Sequence, residues 1–447
     1  MREMRQKQLP LTPTDVDHHH AKELRAISDA LNANPMIAEL AWQDLTANGT
    51  CAKKGAPGMT GDQTVRAAVL KQMCGFTYDE LAFHLLDSTT FRNFCGIGLM
   101  DDAPSKSALQ MNIKMLRPQT WEAMNKVLVG YAREQGIEEG DRVRIDCTVT
   151  ETNIHEPDDA AQLWDVVRVL TRLMTQAVDA GLPLEFANRT RAAKRRRLGV
   201  MNAKNKEVRT KQYRGLVRLT KEVLCFAEIA IVVLMGCKVN LAALGFASEL
   251  RNFIDLGKRV VDQTERRVFE GEQVPAKEKV VSIFEPHTDI IIKDRRDVLY
   301  GHKLCLSVGA SSMILDVVVE DGNPADSDLA VEAVERTIVS TGRVPDQVAL
   351  DGGFASRENL KQIKKLGVKD VCFSKGRGMA ITDMVEDAGV YKLLRRFRAG
   401  VEGVISFLKR GFEMGRCTWR GLPGFKSYTW ASVVACNLLI IARHMTE

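Results

Sequence analysis

Two aspartates stand where predicted β-strands would present them. Apolar and polar residues alternate from Arg142 to Thr150, which predicts a strand with one buried face and places Asp146 on its polar face. The segment Gln347 to Leu350 predicts a second, short strand, and Asp351 follows it directly, ahead of two glycines. The end of a strand is a common place for a ligand group. Each residue alone also fits a plainer role, because aspartate before Gly-Gly favours a turn and aspartate on a strand face is often only solvated.

A third acid, Glu402, lies on a helix predicted from Tyr391 to Phe412. Spacings of three and four residues place it on one helix face with Arg398 and Lys409, while the other face is apolar. The same spacing suits an ion-pair ladder along a solvated helix, so this pattern alone leaves both interpretations open.

Three carboxylates that converge from two strands and a helix could hold metal ions. Hard divalent cations such as Mg²⁺ prefer carboxylate oxygens. Two such ions, about 4 Å apart, activate the attacking oxygen and stabilise the leaving oxygen when a phosphodiester is cleaved. Asp146, Asp351 and Glu402 are therefore candidate ligands for two Mg²⁺ ions, for which Mn²⁺ can substitute.

The elements around these acids divide the chain into three parts. Its 447 residues exceed the size at which a single core usually stops growing. Residues 1–135, helical in pattern mainly from Gly61 onward, are predicted to be a helix-turn-helix-like DNA-binding region, although all-helical scaffolds show the same pattern. Strands and helices over residues 136–154 and 290–445 predict an α/β catalytic domain with a mixed sheet. Residues 155–289 are predicted to form a helical, partly basic insertion between them.

The insertion carries a concentrated positive charge. From Arg189 to Lys221 there are thirteen Lys or Arg residues and one acidic residue, whereas the net charge of the whole chain is +6. The arginine fork matches phosphate geometry, so Arg195, Arg196 and Arg197 are candidate contacts to a nucleic-acid backbone. The alternative is a solvated helix face that binds nothing.

The cysteines and the apolar segments indicate the compartment. Ten cysteines are scattered without a Cys-x-x-Cys pair, which is typical of reduced thiols in a cytosolic protein without a structural zinc site. The N-terminus lacks the apolar core of a signal peptide. The most apolar stretch, Ile229 to Phe246, is interrupted by Lys238 and Asn240, so it predicts a buried helix rather than a membrane span.

Four segments resemble the DDE transposases of bacterial insertion sequences, close to the ISNCY type. They are RIDCTVTETNIHEPDDAAQLWD (144–165), SIFEPHTDIIIKDRRDVLYGHK (282–303), VALDGGFAS (348–356) and FRAGVEGVISFLKRGF (397–412). Related elements carry the signature Tyr, two residues, Arg, three residues, Glu, six residues, Lys. The chain matches this signature at Arg398, Glu402 and Lys409 but has Arg395 in place of the tyrosine.

The resemblance implies a ribonuclease H-like catalytic domain that cleaves DNA at the ends of an insertion sequence and joins them to target DNA. It implies metal binding by Asp146, Asp351 and Glu402, and contacts from Arg398 and Lys409 to DNA phosphates. The expected partners are double-stranded DNA, as terminal inverted repeats and target, and further copies of the chain in a homodimer or higher oligomer. The expected location is the bacterial cytoplasm, at the nucleoid, without membrane association.

Two other functions fit the same residues. A ribonuclease H-like nuclease or resolvase would cut DNA without joining it, and a catalytically inactive regulator would bind end DNA without cutting. The segment Tyr300 to Lys303 also matches the family, but the sequence assigns it no role.

Overall fold

The computed structural model describes residues 4, 17–47, 58–98, 100–237, 240–293 and 297–446. By their contacts the residues form two compact units, the first made of residues 1–151 and 302–447 and the second of residues 152–301. The chain passes between the units twice, each time within a strand. The prediction that the N-terminus is not a signal peptide rests mostly on residues that lie outside the described ranges.

The first unit begins with helices, most of which start at a residue whose side chain caps the first turn. They are α1 (His19–Ala33), α2 (Met36–Thr46), α3 (Gly61–Cys74), α4 (Tyr78–Asp87), α5 (Thr89–Phe94), α6 (Lys106–Met115) and α7 (Pro118–Glu134). Thr60 and Thr77 start α3 and α4 with capping boxes, in which each accepts a hydrogen bond from the backbone three residues on. Gly75 ends α3 in the left-handed conformation, with φ at 66°.

A mixed sheet follows these helices. Its strands are β1 (Arg142–Thr152), β2 (Asp289–Lys293), β3 (Asp297–Val308), β4 (Ile314–Val319), β5 (Gln347–Leu350), β6 (Asp370–Phe373) and β7 (Arg416–Cys417). In the first unit, neighbouring strands run in the order β4, β3, β1, β5, β6, and β7 also pairs with β1. Strands β1, β5 and β6 are parallel, whereas β3 and β4 form the antiparallel hairpin that the sequence predicts. The expected ribonuclease H-like α/β class is confirmed.

Strand β1 is buried on both faces, so the expectation of a single buried face is wrong. Its polar residues Arg144, Thr148 and Thr150 are buried together with its apolar ones. The polar face is covered by later parts of the chain, since Arg144 donates a hydrogen bond to the carbonyl of Phe397 and Thr150 donates one to that of Met414. Asp146 therefore lies in surroundings that solvate a charge poorly.

Six helices of the described residues complete the first unit. They are α12 (Asp326–Thr341), α13 (Arg357–Lys365), α14 (Ile381–Met384), α15 (Ala388–Ala399), α16 (Val401–Gly411) and α17 (Gly421–Thr446). By length and composition α17 could cross a membrane, but 89% of its apolar stretch is buried within the protein, as in the core helix of a globular fold. Leu70 of α3, Val143 of β1 and Val434 of α17 belong to one hydrophobic core. A separate DNA-binding role for residues 1–135 stays a prediction.

The second unit is mainly helical and has its own core. It contains α8 (Asp159–Asp179), α9 (Thr190–Met201), α10 (Lys206–Gly236), α11 (Leu241–Thr264), a π-helical turn (Glu265–Glu270) and a 3-10 turn (Ala276–Glu278). Strand β2 pairs with the first residues of β3 in this unit. Leu170 of α8, Leu216 of α10 and Leu250 of α11 meet in the core.

The most apolar stretch of this unit, Ile229 to Phe246, is not the single buried helix that the sequence predicts. Helix α10 ends at Gly236 and α11 begins at Leu241, while Lys238 lies outside the described residues. Val232 is 73% exposed and Leu241 is 85% exposed. These side chains lie near the ends of two helices that pair with each other, where the core does not reach them.

Candidate active site

Asp146 and Asp351 lie beside each other because of strand register. Strands β1 and β5 run parallel, with Ile145 opposite Leu350. Asp146 is the next residue of β1, and Asp351 is the first residue after β5. Two aspartates 205 positions apart in sequence thus reach the same edge of the sheet.

One guanidinium group contacts all three predicted acids. Arg398 Nη2 lies 2.8 Å from Asp146 Oδ2 and 3.5 Å from Asp351 Oδ1, and Arg398 Nη1 lies 3.2 Å from Glu402 Oε1. The side chains of Asp146 and Arg398 are 14% and 16% exposed, whereas that of Glu402 is 71% exposed. The structure therefore brings Asp146, Asp351 and Glu402 together around Arg398, with Glu402 on the solvent side.

The helix that carries Arg398 and Glu402 is broken at Gly400, although a single helix is predicted from Tyr391 to Phe412. The cause is Arg144 of β1, whose Nη1 donates a hydrogen bond of 3.0 Å to the carbonyl of Phe397. Its guanidinium also lies 4.8 Å from the centre of the Phe397 ring. A Cβ on residue 400 would collide with Arg144 Nη1, so any other residue at the break requires this guanidinium to move. Arg144 thereby fixes where α15 ends and where α16, which carries Glu402 in its first turn, begins.

Asp351 is held by a serine from the neighbouring strand. Ser374, just after β6, donates a hydrogen bond of 2.7 Å to Asp351 Oδ1 and accepts one of 2.9 Å from the backbone N–H of Gly352. Burial raises the pKa of Asp351, but the hydrogen bonds from Ser374 and Gly352 and the charges of Arg398 and Lys375 outweigh it, so the pKa lies below its ordinary value. Asp351 is thus kept ionised and oriented.

The environment of Asp146 acts in the opposite direction. Burial raises the pKa of its carboxyl group, and the negative charges of Asp351 and Asp326 add to that effect. The charge of Arg398 and a 2.8 Å hydrogen bond from the N–H of Cys147 only partly compensate. The clustered carboxylates therefore favour a cation among them.

The two glycines after Asp351 allow other side chains to approach. A Cβ on Gly352 would lie 2.9 Å from Cβ of Lys375, and one on Gly353 would lie 2.6 Å from Oδ2 of Asp326. Glycine at both positions thus reflects close packing in addition to turn formation.

These residues fit a divalent metal. The donors are carboxylate oxygens, which hard cations prefer, and three carboxylates against one arginine leave a net negative charge. The cation that now lies among them is the Arg398 guanidinium, whose Nε is buried without a hydrogen-bond partner among the described residues. The cluster therefore attracts positive charge, but among the described residues it provides no hydrogen-bond acceptor for the Nε of Arg398.

The other predicted DNA contacts lie elsewhere. Lys409 is partly buried in α16, two helical turns beyond Glu402. Arg195 is exposed on α9 in the second unit, whereas Arg196 and Arg197 are partly buried there. Arg196 Nη1 donates a 3.0 Å hydrogen bond to Gln212 Oε1, so it is already engaged within its unit.

Sequence reasoning missed Arg144, Ser374 and Asp326. Alternation places Arg144 on the polar face of its strand, where no site role is indicated, and Ser374 has no distinctive neighbours in sequence. The available signal for Ser374 was its place after a predicted strand, because parallel strands present their carboxyl ends at one edge. Asp326 carried no signal, since acidic residues are common in the first turn of a helix.

Two family models match the chain. One, described as a transposase DDE domain, matches residues 258–438, which include Asp351 and Glu402 but not Asp146. The other, described as a transposase domain (DUF772), matches residues 14–114. No curated protein and no solved structure matches the chain significantly.

Proposed function

Because the chain is a DDE transposase of the insertion-sequence type, we propose that Asp146, Asp351 and Glu402 are its catalytic triad. Transposases of this family bind DNA, depend on divalent metal and cleave and transfer DNA strands. The observation that carries the assignment is the contact of all three carboxylates with one guanidinium, from two strands and a helix. The likeness to the ISNCY type in particular stays a prediction.

The triad would hold two Mg²⁺ ions, for which Mn²⁺ can substitute. When bound, such ions activate the attacking oxygen and stabilise the oxygen that leaves. The protein contributes position: Ser374 orients Asp351, the N–H of Cys147 orients Asp146, and Arg144 fixes the helix break before Glu402. Preorganised groups of this kind need no rearrangement when charge develops on the phosphate.

The proposed reaction has two steps at the same triad. In the first, a water oxygen attacks the phosphorus at the end of the element, and the bond from phosphorus to the 3′ oxygen breaks, which leaves a 3′-hydroxyl. In the second, the oxygen of that hydroxyl attacks a phosphorus in target DNA and displaces another 3′ oxygen. Each step exchanges one phosphorus–oxygen bond for another, so no covalent enzyme intermediate is required.

The partners follow from this scheme. Arg398 would contact DNA phosphates at the triad, and Lys409 would contact them two helical turns further along α16. Arg195, Arg196 and Arg197 would contact a DNA backbone from the insertion. The DNA partners would be the terminal inverted repeats and the target. Because two ends must be brought together, the active form would be a homodimer or a higher oligomer.

The decisive experiment compares isosteric acid-to-amide variants on end-containing DNA with Mg²⁺. Asp146→Asn, Asp351→Asn and Glu402→Gln should each abolish nicking and strand transfer while binding of end DNA persists. Glu413→Gln is the matched control, since Glu413 is an exposed acid just beyond α16 and the next candidate for the third acid by sequence. It should retain activity if Glu402 is the catalytic glutamate.

The rival functions give different outcomes in the same assay. Nicking without insertion of labelled ends into a plasmid would indicate a nuclease or resolvase. Binding without nicking by the wild-type protein would indicate an inactive regulator. Retention of nicking by Asp146→Asn would overturn the triad.

A further inference from the structure

Lys303 is a buried cation in the segment Tyr300 to Lys303, to which the sequence assigns no role. It lies on β3 and is 8% exposed. Its Nζ lies 2.5 Å from Asp326 Oδ1 and donates a hydrogen bond of 2.7 Å to the carbonyl of Pro324. Both contacts lie at the start of α12, so Lys303 ties the sheet to the first turn of that helix.

The start of α12 in turn contacts the segment that follows Asp351. Asp326 Oδ2 lies so close to Gly353 that a Cβ there would be 2.6 Å away. Asn359, which is 9% exposed, donates hydrogen bonds of 2.7 Å to the carbonyl of Ser327 and 2.9 Å to that of Phe354. A close approach of Asp326 and two hydrogen bonds from Asn359 therefore place the first turn of α12 against the turn after Asp351.

An ion pair between a buried lysine and a partly exposed aspartate, with side chains 10% and 30% exposed, is poorly explained by stability alone. Desolvation of two charges offsets most of their attraction, and apolar replacements of similar size are often neutral or stabilising. A pair placed between the sheet and a catalytic turn can instead fix geometry. Groups behind a metal ligand typically change metal affinity by about 10- to 100-fold when they are removed.

We propose that Lys303 and Asp326 are positioning residues for Asp351. Lys303 holds Asp326 against Gly353, and the fixed turn presents the Asp351 carboxylate to metal at the triad. The inference rests on the proposed function, because it assumes that Asp351 is a metal ligand.

The test is Mn²⁺ binding to the purified full chain without DNA, measured by electron paramagnetic resonance. Lys303→Met and Asp326→Asn should each weaken Mn²⁺ binding by about tenfold or more. Thermal unfolding of each variant checks that the protein is folded at the temperature of the titration.

The matched control is Arg336→Met. Arg336 lies on the same helix, α12, and pairs with Asp316 of β4 at 2.7 Å. Both ion pairs join the sheet to α12, and each has one buried and one partly exposed side chain. The side chain of Asp316 is 4% exposed and that of Arg336 is 33% exposed. The side chain of Lys303 is 10% exposed and that of Asp326 is 30% exposed. Arg336→Met should lower stability but leave Mn²⁺ affinity unchanged.

The direction of the two changes separates positioning from simple charge. Removal of the Lys303 charge would strengthen Mn²⁺ binding if only long-range electrostatics acted, whereas removal of the Asp326 charge would weaken it. Positioning predicts weaker binding in both variants. Opposite signs, or an equal decrease in Arg336→Met, would overturn the inference.

Asp351→Asn in the same titration keeps the two proposals distinguishable. If Asp351→Asn binds Mn²⁺ as the wild type does, the proposed triad fails. If Asp351→Asn loses binding while Lys303→Met and Asp326→Asn bind normally, the triad stands and the positioning role is refuted.

Discussion

Replacing Arg398 with glutamine should strengthen metal binding in the absence of DNA. The Arg398 guanidinium lies among the carboxylates that would hold the metal, 2.8 Å from Asp146 and 3.2 Å from Glu402. Metal must therefore displace this side chain or bind beside a positive charge. Glutamine retains much of the length of the side chain but removes the charge.

The size of the effect follows from Coulomb's law. Two unit charges 4 Å apart interact by about 1 kcal/mol in water and by about 4 kcal/mol at an effective dielectric constant of 20. Because Asp351 and Glu402 are substantially exposed, the lower value applies, and a divalent ion doubles it to about 2 kcal/mol. That energy corresponds to roughly 30-fold tighter binding.

The same substitution should lower stability without metal. Removal of one partner from a fully buried ion pair costs about 3–5 kcal/mol of folding stability. A cost of about 1–3 kcal/mol is expected here, because Asp146 keeps its hydrogen bond from the N–H of Cys147 and because Asp351 and Glu402 reach solvent. Added Mn²⁺ should then raise the melting temperature of Arg398→Gln by more than it raises that of the wild type.

The assay is Mn²⁺ titration followed by electron paramagnetic resonance, with thermal unfolding at each metal concentration. Arg395→Gln is the matched control, since Arg395 is exposed on the same helix and lies over the ring of Tyr391 rather than at the triad. It removes the same charge and should change Mn²⁺ affinity little. Equal or weaker Mn²⁺ binding by Arg398→Gln would refute the idea that Arg398 takes the place of the metal.

Three further predictions concern helix geometry, pH and salt. Gly400→Ala should lower the free energy of unfolding in urea by about 1–3 kcal/mol, because the new Cβ displaces the buried Arg144 side chain. Gly403→Ala, which has open space around it, should raise that free energy by about 0.5–1 kcal/mol. The reverse order would contradict the helix break. Burial lowers the pKa of His155, but hydrogen bonds to the Glu156 carbonyl and to Asp165 outweigh it and raise the pKa above 6.5. The protonated ring therefore stabilises the fold at low pH, so His155→Gln should reduce the melting temperature more at about pH 5.5 than at about pH 8.5. An equal reduction at both pH values would exclude this linkage. Changing Arg195, Arg196 and Arg197 to alanine should flatten the plot of log DNA affinity against log salt concentration. Its slope should fall by about one unit for each phosphate that the variant no longer binds. An unchanged slope would indicate a solvated helix face.

The main strands and the three acids could be predicted from sequence because each rests on a local signal. Period-two alternation marked β1, and an apolar run before Asp351 marked β5. Register, however, depends on pairing between distant strands. Only the folded sheet shows that Ile145 lies opposite Leu350. The two aspartates are neighbours because of this pairing.

The break at Gly400 and the burial of β1 could not be predicted for a related reason. Both depend on what packs against the element rather than on its own periodicity. Arg144 looks like a solvated residue of an alternating strand, yet it donates to the carbonyl of Phe397 from 253 positions away. Lys303 and Asp326 are likewise joined only by the approach of α12 to the sheet.

The most direct test of the triad is anomalous scattering from Mn²⁺ in crystals of the protein bound to end DNA. The proposed function predicts two peaks bounded by the carboxylates of Asp146, Asp351 and Glu402, with Arg398 turned from the acids toward a phosphate. Ordered Mn²⁺ bound away from these residues, or Glu402 directed away from both aspartates on an ordered α16, would contradict it.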